Sequence, residues 1–249
     1  MIGSVERYSS SAGKKRTNVF VGRLVRIVVT ALVLYLLVSR ALVSTARIES
    51  VSMLPVISPA DRLIVSELAF GPRVPFSRSR LPGLQAPERG DLVVVQPPFL
   101  GEPTLAARLF EPLVGFFTLQ KVTLHRDMYG MRVNVSMVKR IIGLPGDTIR
   151  LKSYIASIRP KGASDFVPEQ QLIPRHYAPN TKSGARGWSE SFPLSGNGEE
   201  LVLRGDEYFV LGDNRPESSD SRSWGPVSME RIIGKVIYRY WPPHAFGKL

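Results

Sequence analysis

The 249-residue chain contains no cysteine. Disulfides, thiolate metal sites and a cysteine nucleophile are therefore all excluded. Histidine is scarce: only His125, His176 and His244 occur, in unrelated contexts and without the spacing of a helical zinc pair. A zinc centre or a histidine-based triad is accordingly not expected. The sequence also lacks a GxGxxG fingerprint, a phosphate-binding P-loop and any internal repeat,. A net charge of +12 could suggest nucleic acid, but no basic and aromatic stripe or recognition motif accompanies it,. No nucleic acid, metal or cofactor is implied.

The charge is concentrated at the start. Arg7, Lys14, Lys15, Arg16, Arg23 and Arg26 stand against Glu6 alone. The apolar run Ile27 to Val38 follows at once and continues through Ser39 and Arg40 to Val43. As a helix, 27–43 is about 25 Å long, short for a bilayer core of about 30 Å. Counting from Asn18, with Arg23, Arg26 and Arg40 snorkelling to the two surfaces, gives a single-pass anchor. Because the cations precede it, the N-terminus is expected in the cytoplasm and the rest outside. The competing reading is a cleaved secretory leader, with Ser44-Thr45-Ala46 as the small-residue site.

Beyond Arg47 the pattern changes to short β-like runs separated by proline and glycine. Asp61 to Val65, Asp91 to Val95, Val133 to Ile142, Asp147 to Leu151, Glu207 to Leu211 and Ile232 to Tyr240 read as strands,. Leu144-Pro145-Gly146-Asp147 should turn the fourth of these runs back on the third as a hairpin. One residue breaks the pattern: period two puts Lys139 on the apolar side with Val133, Val135, Met137 and Ile141, while Arg140 faces the other way. A buried ammonium is unfavourable, so such a lysine either reaches water or loses its proton and becomes a base.

A base needs a nucleophile. In Ile48-Glu49-Ser50-Val51-Ser52-Met53-Leu54-Pro55, strand alternation would place Ser50 and Ser52 on one face, about 7 Å apart. One hydroxyl could attack while the other donates to an oxyanion. Taken alone, Ser-x-Ser before a proline is a weak signal.

Three segments together are specific. Ser50 to Pro55 resembles the nucleophile segment of type I signal peptidases, the membrane-bound Ser-Lys endopeptidases of the bacterial type. Val138-Lys139-Arg140-Ile141-Ile142-Gly143-Leu144-Pro145-Gly146-Asp147 resembles their general-base segment, and Leu211-Gly212-Asp213-Asn214-Arg215 through Trp224-Gly225 their third signature. The resemblance implies Ser52 as nucleophile, Lys139 as general base, and an oxyanion hole of the Ser50 hydroxyl and the Ser52 N–H. It further implies that Ser218 orients the Lys139 amine, that Asp213 pairs with Arg140, and that Asp220 pairs with Arg222. Signal peptides of exported preproteins would be the substrates and the lipid bilayer the other partner. The sequence departs from the family pattern at Pro216-Glu217, where an Asp-Asn pair is usual, and at Val56-Ile57.

The fold expected is mainly β: an antiparallel β-sheet catalytic domain of the signal-peptidase or LexA-like kind behind a transmembrane helix. Residues 1–17 are read as a cytoplasmic basic tail, 18–43 as the anchor and 44–249 as the extracytoplasmic peptidase domain, in the inner (plasma) membrane. Insertions at about 96–132 and 152–204 stay unassigned. Two other readings share the motifs: a self-cleaving Ser-Lys repressor-type protease and a catalytically silent anchored binding module.

Overall fold

The computed structural model describes residues 20–32, 43–72, 79–99, 114, 137–152, 154–173, 177–181 and 197–249. The chain divides into two units, residues 1–39 and 40–249. In the first, residues 20–32 are helical, with Phe20, Val21, Leu24, Val25, Ile27 and Val29 more than half exposed. Among the described residues no helix is long and apolar enough to cross a membrane. Of the expected span 18–43, residues 18, 19 and 33–42 lie outside the described residues, as does most of 96–132, and Val43, expected as its last residue, instead pairs with Ser66 in a strand.

The second unit is built of two antiparallel sheets. The larger takes the order β1 (Val43–Arg47), β2 (Arg62–Ser66), β11 (Ile232–Trp241), β3 (Leu92–Val95), β4 (Met137–Gly143), β9 (Glu207–Leu211) and β10 (Val227–Ser228). The short β12 (Gly247–Lys248) pairs with β11. The smaller has the order β7 (Val167–Pro168), β6 (Ile155–Arg159), β5 (Thr148–Lys152) and β8 (Asn197–Val202).

Period-two alternation explains the core. On β9, Phe209 and Leu211 face one way and Tyr208 and Val210 the other, and all four are buried,. The first pair joins Ile142, Ile149, Leu151, Ala156, Ile158, Ile173, Tyr177 and Leu203 in a cluster between the sheets. The second pair joins Val93, Val95, Ile141, Val227 and Ile232. A third cluster gathers Met53, Ile57, Leu63, Val65, Leu92, Val94, Val138 and Val236. Fully burying such an aliphatic or aromatic side chain contributes roughly 1.5–3 kcal/mol. β4 therefore carries buried side chains on both faces, which is why it runs apolar almost throughout.

Two expectations need correction. The turn at 144–147 forms, with Asp147 N–H donating to Leu144 O at 3.0 Å and Gly146 at φ 88°. It does not close a hairpin, however, because β5 pairs with β6 and β8 rather than with β4. Asp147 explains the divergence. Its carboxylate accepts from Leu144 N–H at 2.7 Å and from Arg89 at 2.7 Å, and its carbonyl accepts from Leu203 N–H at 2.8 Å, drawing the chain into the second sheet. Secondly, Ile48 to Pro55 is not a strand: pairing on β1 stops at Arg47, and residues 51–57 form consecutive turns.

Candidate active site

The turns at 51–57 place Ser52. Leu54 N–H donates to Val51 O at 3.1 Å and Ile57 N–H to Met53 O at 3.0 Å, while Met53 and Ile57 are sunk in the core on either side. Two apolar anchors thus hold a tight turn, and Ser52, 5% exposed, sits between solvent and core. Because the backbone turns here, Ser50 Oγ lies only 3.0 Å from Ser52 Oγ, far closer than two same-face strand residues would allow,.

Lys139 comes from the opposite direction, on a strand flanked by β3 and β9. Val93 lies directly across from it on β3. The ladder with β9 begins one residue later, at Arg140 opposite Leu211. Lys139 is 2% exposed, and its Nζ lies 2.9 Å from Ser52 Oγ and 3.1 Å from Ser218 Oγ. Burial pulls its pKa down from 10.5 to about 8, against the opposing charges of Asp220 and Asp213 and with help from Arg222,. That depression corresponds to about 3 kcal/mol of disfavoured charge. Met137, Ile141 and Val93 belong to one apolar cluster beside this strand, whereas Val133 and Val135 lie outside the described residues.

The loop after β9 supplies the surroundings. Arg140 grips Asp213 with two hydrogen bonds, Nε–Oδ1 at 2.9 Å and Nη2–Oδ2 at 2.7 Å, and its guanidinium stands 4.8 Å over the Tyr177 ring. Arg222 grips Asp220 through Nε at 2.8 Å and Nη2 at 2.9 Å, and also donates to the carbonyls of Arg215 at 2.6 Å and Ser218 at 3.1 Å. Burial would push the Asp220 carboxyl up. Arg222 outweighs it, with Lys139 and the Gly212 N–H assisting, and holds it below the usual carboxylate range. The unusual Pro216-Glu217 pair fits this loop: Pro216 is buried in a 3₁₀ turn, Glu217 is exposed, and Ser218 is still within reach of Lys139.

Ser50, Ser52, Lys139, Arg140, Asp213, Ser218, Asp220 and Arg222 thus converge on one place. Three further residues belong there although no role was read for them from the sequence. Gly212 lets the backbone pass between Ser218 and Ser52, since a Cβ on it would lie 2.2 Å from Ser218 Oγ and 2.6 Å from Ser52 O. Asn214 donates through its backbone N–H to Ser52 O at 3.0 Å and through Nδ2 to Val51 O at 3.1 Å. Arg215 is fully buried against Glu169. Gly212, Asn214 and Arg215 lie inside the third signature, which was the available signal; Glu169 had none.

A serine hydroxyl beside a desolvated amine that loses its proton near pH 8 has the makings of a serine hydrolase that uses lysine in place of histidine. The model of the signal peptidase family, peptidase S26, matches residues 21–241. Signal peptidase I of Leptolyngbya laminosa is 29% identical, over 84% of this chain and 75% of its own length. Signal peptidase I of Pseudomonas aeruginosa is 26% identical, over 84% of this chain and 69% of its own. Thylakoidal processing peptidase 1, chloroplastic, of Arabidopsis thaliana is 26% identical over 86% of this chain, which spans 46% of that longer protein. The chain belongs to the signal peptidase family, peptidase S26, a family of serine peptidases.

Proposed function

We propose that the protein is a membrane-anchored serine endopeptidase that removes N-terminal signal peptides from exported preproteins by a Ser52–Lys139 dyad. The observation that carries this reading is the 2.9 Å separation of Ser52 Oγ from the Nζ of a lysine that is 2% exposed. With Lys139 neutral, its lone pair accepts the Ser52 proton as Oγ attacks the scissile carbonyl. The ammonium so formed then gives that proton to the leaving amine. Water, deprotonated by the same amine, hydrolyses the acyl-enzyme. The Ser50 hydroxyl and the Ser52 N–H donate to the tetrahedral oxyanion, and Ser218 holds the Lys139 amine in line. Asp213–Arg140 and Asp220–Arg222 fix the loop that carries Ser218.

The substrate would lie extended beside β4. Met137 and Val138 pair with β3 on one side, and on the other the β9 ladder begins only at Arg140. A cleavage region added there as a strand would bring its carbonyl towards Ser52, with alternate side chains in pockets. Residues 18–42 would form the anchor, 1–17 the cytoplasmic tail and the remainder, beginning with β1 at Val43, the domain outside the membrane. Ser52 lies nine positions beyond Val43, a chain length of at most about 30 Å,.

The test is processing of a secreted reporter in membranes carrying wild-type, Ser52→Ala or Lys139→Ala protein. Wild type should release the mature reporter and both variants should leave the precursor intact. Normal processing by either variant would reject the dyad.

A further inference from the structure

The excursion between β5 and β9 is attached to both halves of the site. Asn180 lies on it, in an isolated parallel bridge with Asn214. Its N–H donates to Asp213 O at 2.8 Å, and its carbonyl accepts from Arg215 N–H at 3.0 Å. Its Nδ2 also donates to Asn214 Oδ1 at 2.9 Å. That last bond determines which way the Asn214 amide faces. With Oδ1 turned to Asn180, Asn214 Nδ2 must turn to Val51 O, one residue before Ser52,.

Glu169 makes the second attachment. It is 0% exposed, as is Arg215, and its carboxylate accepts from Arg215 Nη1 at 2.8 Å, Arg215 Nη2 at 2.7 Å, Ala156 N–H at 3.0 Å and Tyr177 O–H at 3.3 Å. The same guanidinium donates through Nε to Gly212 O at 2.9 Å. Gly212 is the residue wedged between Ser218 and the Ser52 carbonyl. A fully buried ion pair is a poor stabiliser compared with apolar packing of the same volume, so its presence calls for a positional explanation.

Resting on the Ser52–Lys139 reading, we propose that Asn180 and Glu169 are positioning residues, Asn180 acting on Ser52 through Asn214 and Glu169 acting on Ser218 through Arg215 and Gly212. The excursion between β5 and β9 is then part of the catalytic apparatus rather than an appendage. Asn180 provides the cleaner test because it is exposed, so its replacement leaves the core intact. Asn180→Ala removes the donor to Asn214. Asn180→Asp places an acceptor against Asn214 Oδ1 and turns the amide away from Val51. Glu169→Asp keeps the charge but withdraws the carboxylate by one methylene.

The experiment compares kcat, KM and thermal midpoint of the purified full chain in detergent, using a synthetic signal-peptide substrate. Both Asn180 variants should lose about tenfold or more in kcat, with KM within twofold of wild type and the unfolding midpoint unchanged. Asn180→Asp should be the more damaged, and Glu169→Asp should also fall in kcat at unchanged KM. Wild-type kcat in both Asn180 variants would overturn the proposal, as would losses that merely track unfolding. If wild type cuts no signal peptide, the functional reading itself fails and the positioning roles fall with it. A cleaving wild type with unaffected Asn180 variants would sink the positioning roles alone.

Discussion

Gly212 and Ser218 are six residues apart, and a methyl group on the first would lie 2.2 Å from the hydroxyl of the second. That methyl would also lie 2.6 Å from the carbonyl of Ser52. The backbone atom on one side and the hydrogen-bonded serine on the other leave little room to yield. Gly212→Ala should therefore cost about 1–3 kcal/mol of stability as an overpacking substitution. It should also reduce kcat well beyond the loss of folded protein. Chemical denaturation together with the rate per folded molecule would measure both.

Cleavage should accelerate with pH through a midpoint of about 8, the value to which burial lowers Lys139. Below that pH the amine is protonated and cannot accept from Ser52; above it the rate should level off. A pH profile of kcat for wild type, with Lys139→Ala as control, provides the check. A midpoint near 10.5, or a flat profile above pH 6, would show that desolvation does not govern the base.

The same shift has a consequence for stability. Below pH 8 both folded and unfolded chains carry the Lys139 proton, and the fold bears the whole burial cost of about 3 kcal/mol,. Between about 8 and 10.5 the unfolded chain still binds the proton while the folded chain does not, so stability from this group rises with pH,. Lys139→Met, of similar length and apolar, should be inactive yet more stable at pH 7, by up to about 3 kcal/mol. It should also lose the rise between pH 8 and 10.5. Denaturant melts at pH 7 and pH 10 would compare the two proteins.

Asp220 behaves in the opposite sense. Its folded pKa is depressed, so its contribution is present above the ordinary carboxylate range and disappears as pH falls through the folded value,. Asp220→Asn removes the carboxylate gripped by Arg222 and should destabilise by about 3–5 kcal/mol near neutrality. Its stability should also fall less steeply in acid than that of wild type. Unfolding followed from pH 6 to pH 2 would test both statements.

Ser50→Ala should reduce kcat by about 10²–10³ with little change in KM, the effect of deleting one oxyanion donor. A change confined to KM would instead make Ser50 a contact for bound substrate. Steady-state kinetics at saturating peptide separate the two.

Six of the twelve described strands, β2, β3, β4, β5, β9 and β11, were legible in the sequence because their apolar residues fall in short runs bounded by glycine and proline. The Glu207–Leu211 strand matches its reading residue for residue. Ser50 and Ser52 were misplaced on a strand, since Ser-x-Ser alternation cannot distinguish an extended segment from consecutive turns held by buried Met53 and Ile57. The 152–204 excursion hid β6, although Ala156 and Ile158 alternate correctly, because the flanking Pro-Gly-Ser stretch resembles loop and β7 has only two residues. Glu169 and Asn180 left no local trace. Their partners, Arg215 and Asn214, are 46 and 34 residues away, and neither pairing follows a helical or strand period.

The three groups that meet at the amine differ in what carries them. Lys139 rides on a strand with neighbours on both flanks, while Ser52 sits in a turn and Ser218 in extended backbone just after the 3₁₀ turn Arg215–Glu217. Lys139 is thus a fixed datum against which the two hydroxyls are aligned, and the loop sequence Pro216-Glu217 is accommodated without moving it. An inhibitor bonded to Ser52 should therefore slow amide hydrogen exchange in residues 51–57 and 212–222 while leaving Arg140 and Ile141, already paired on both sides of β4, unchanged,.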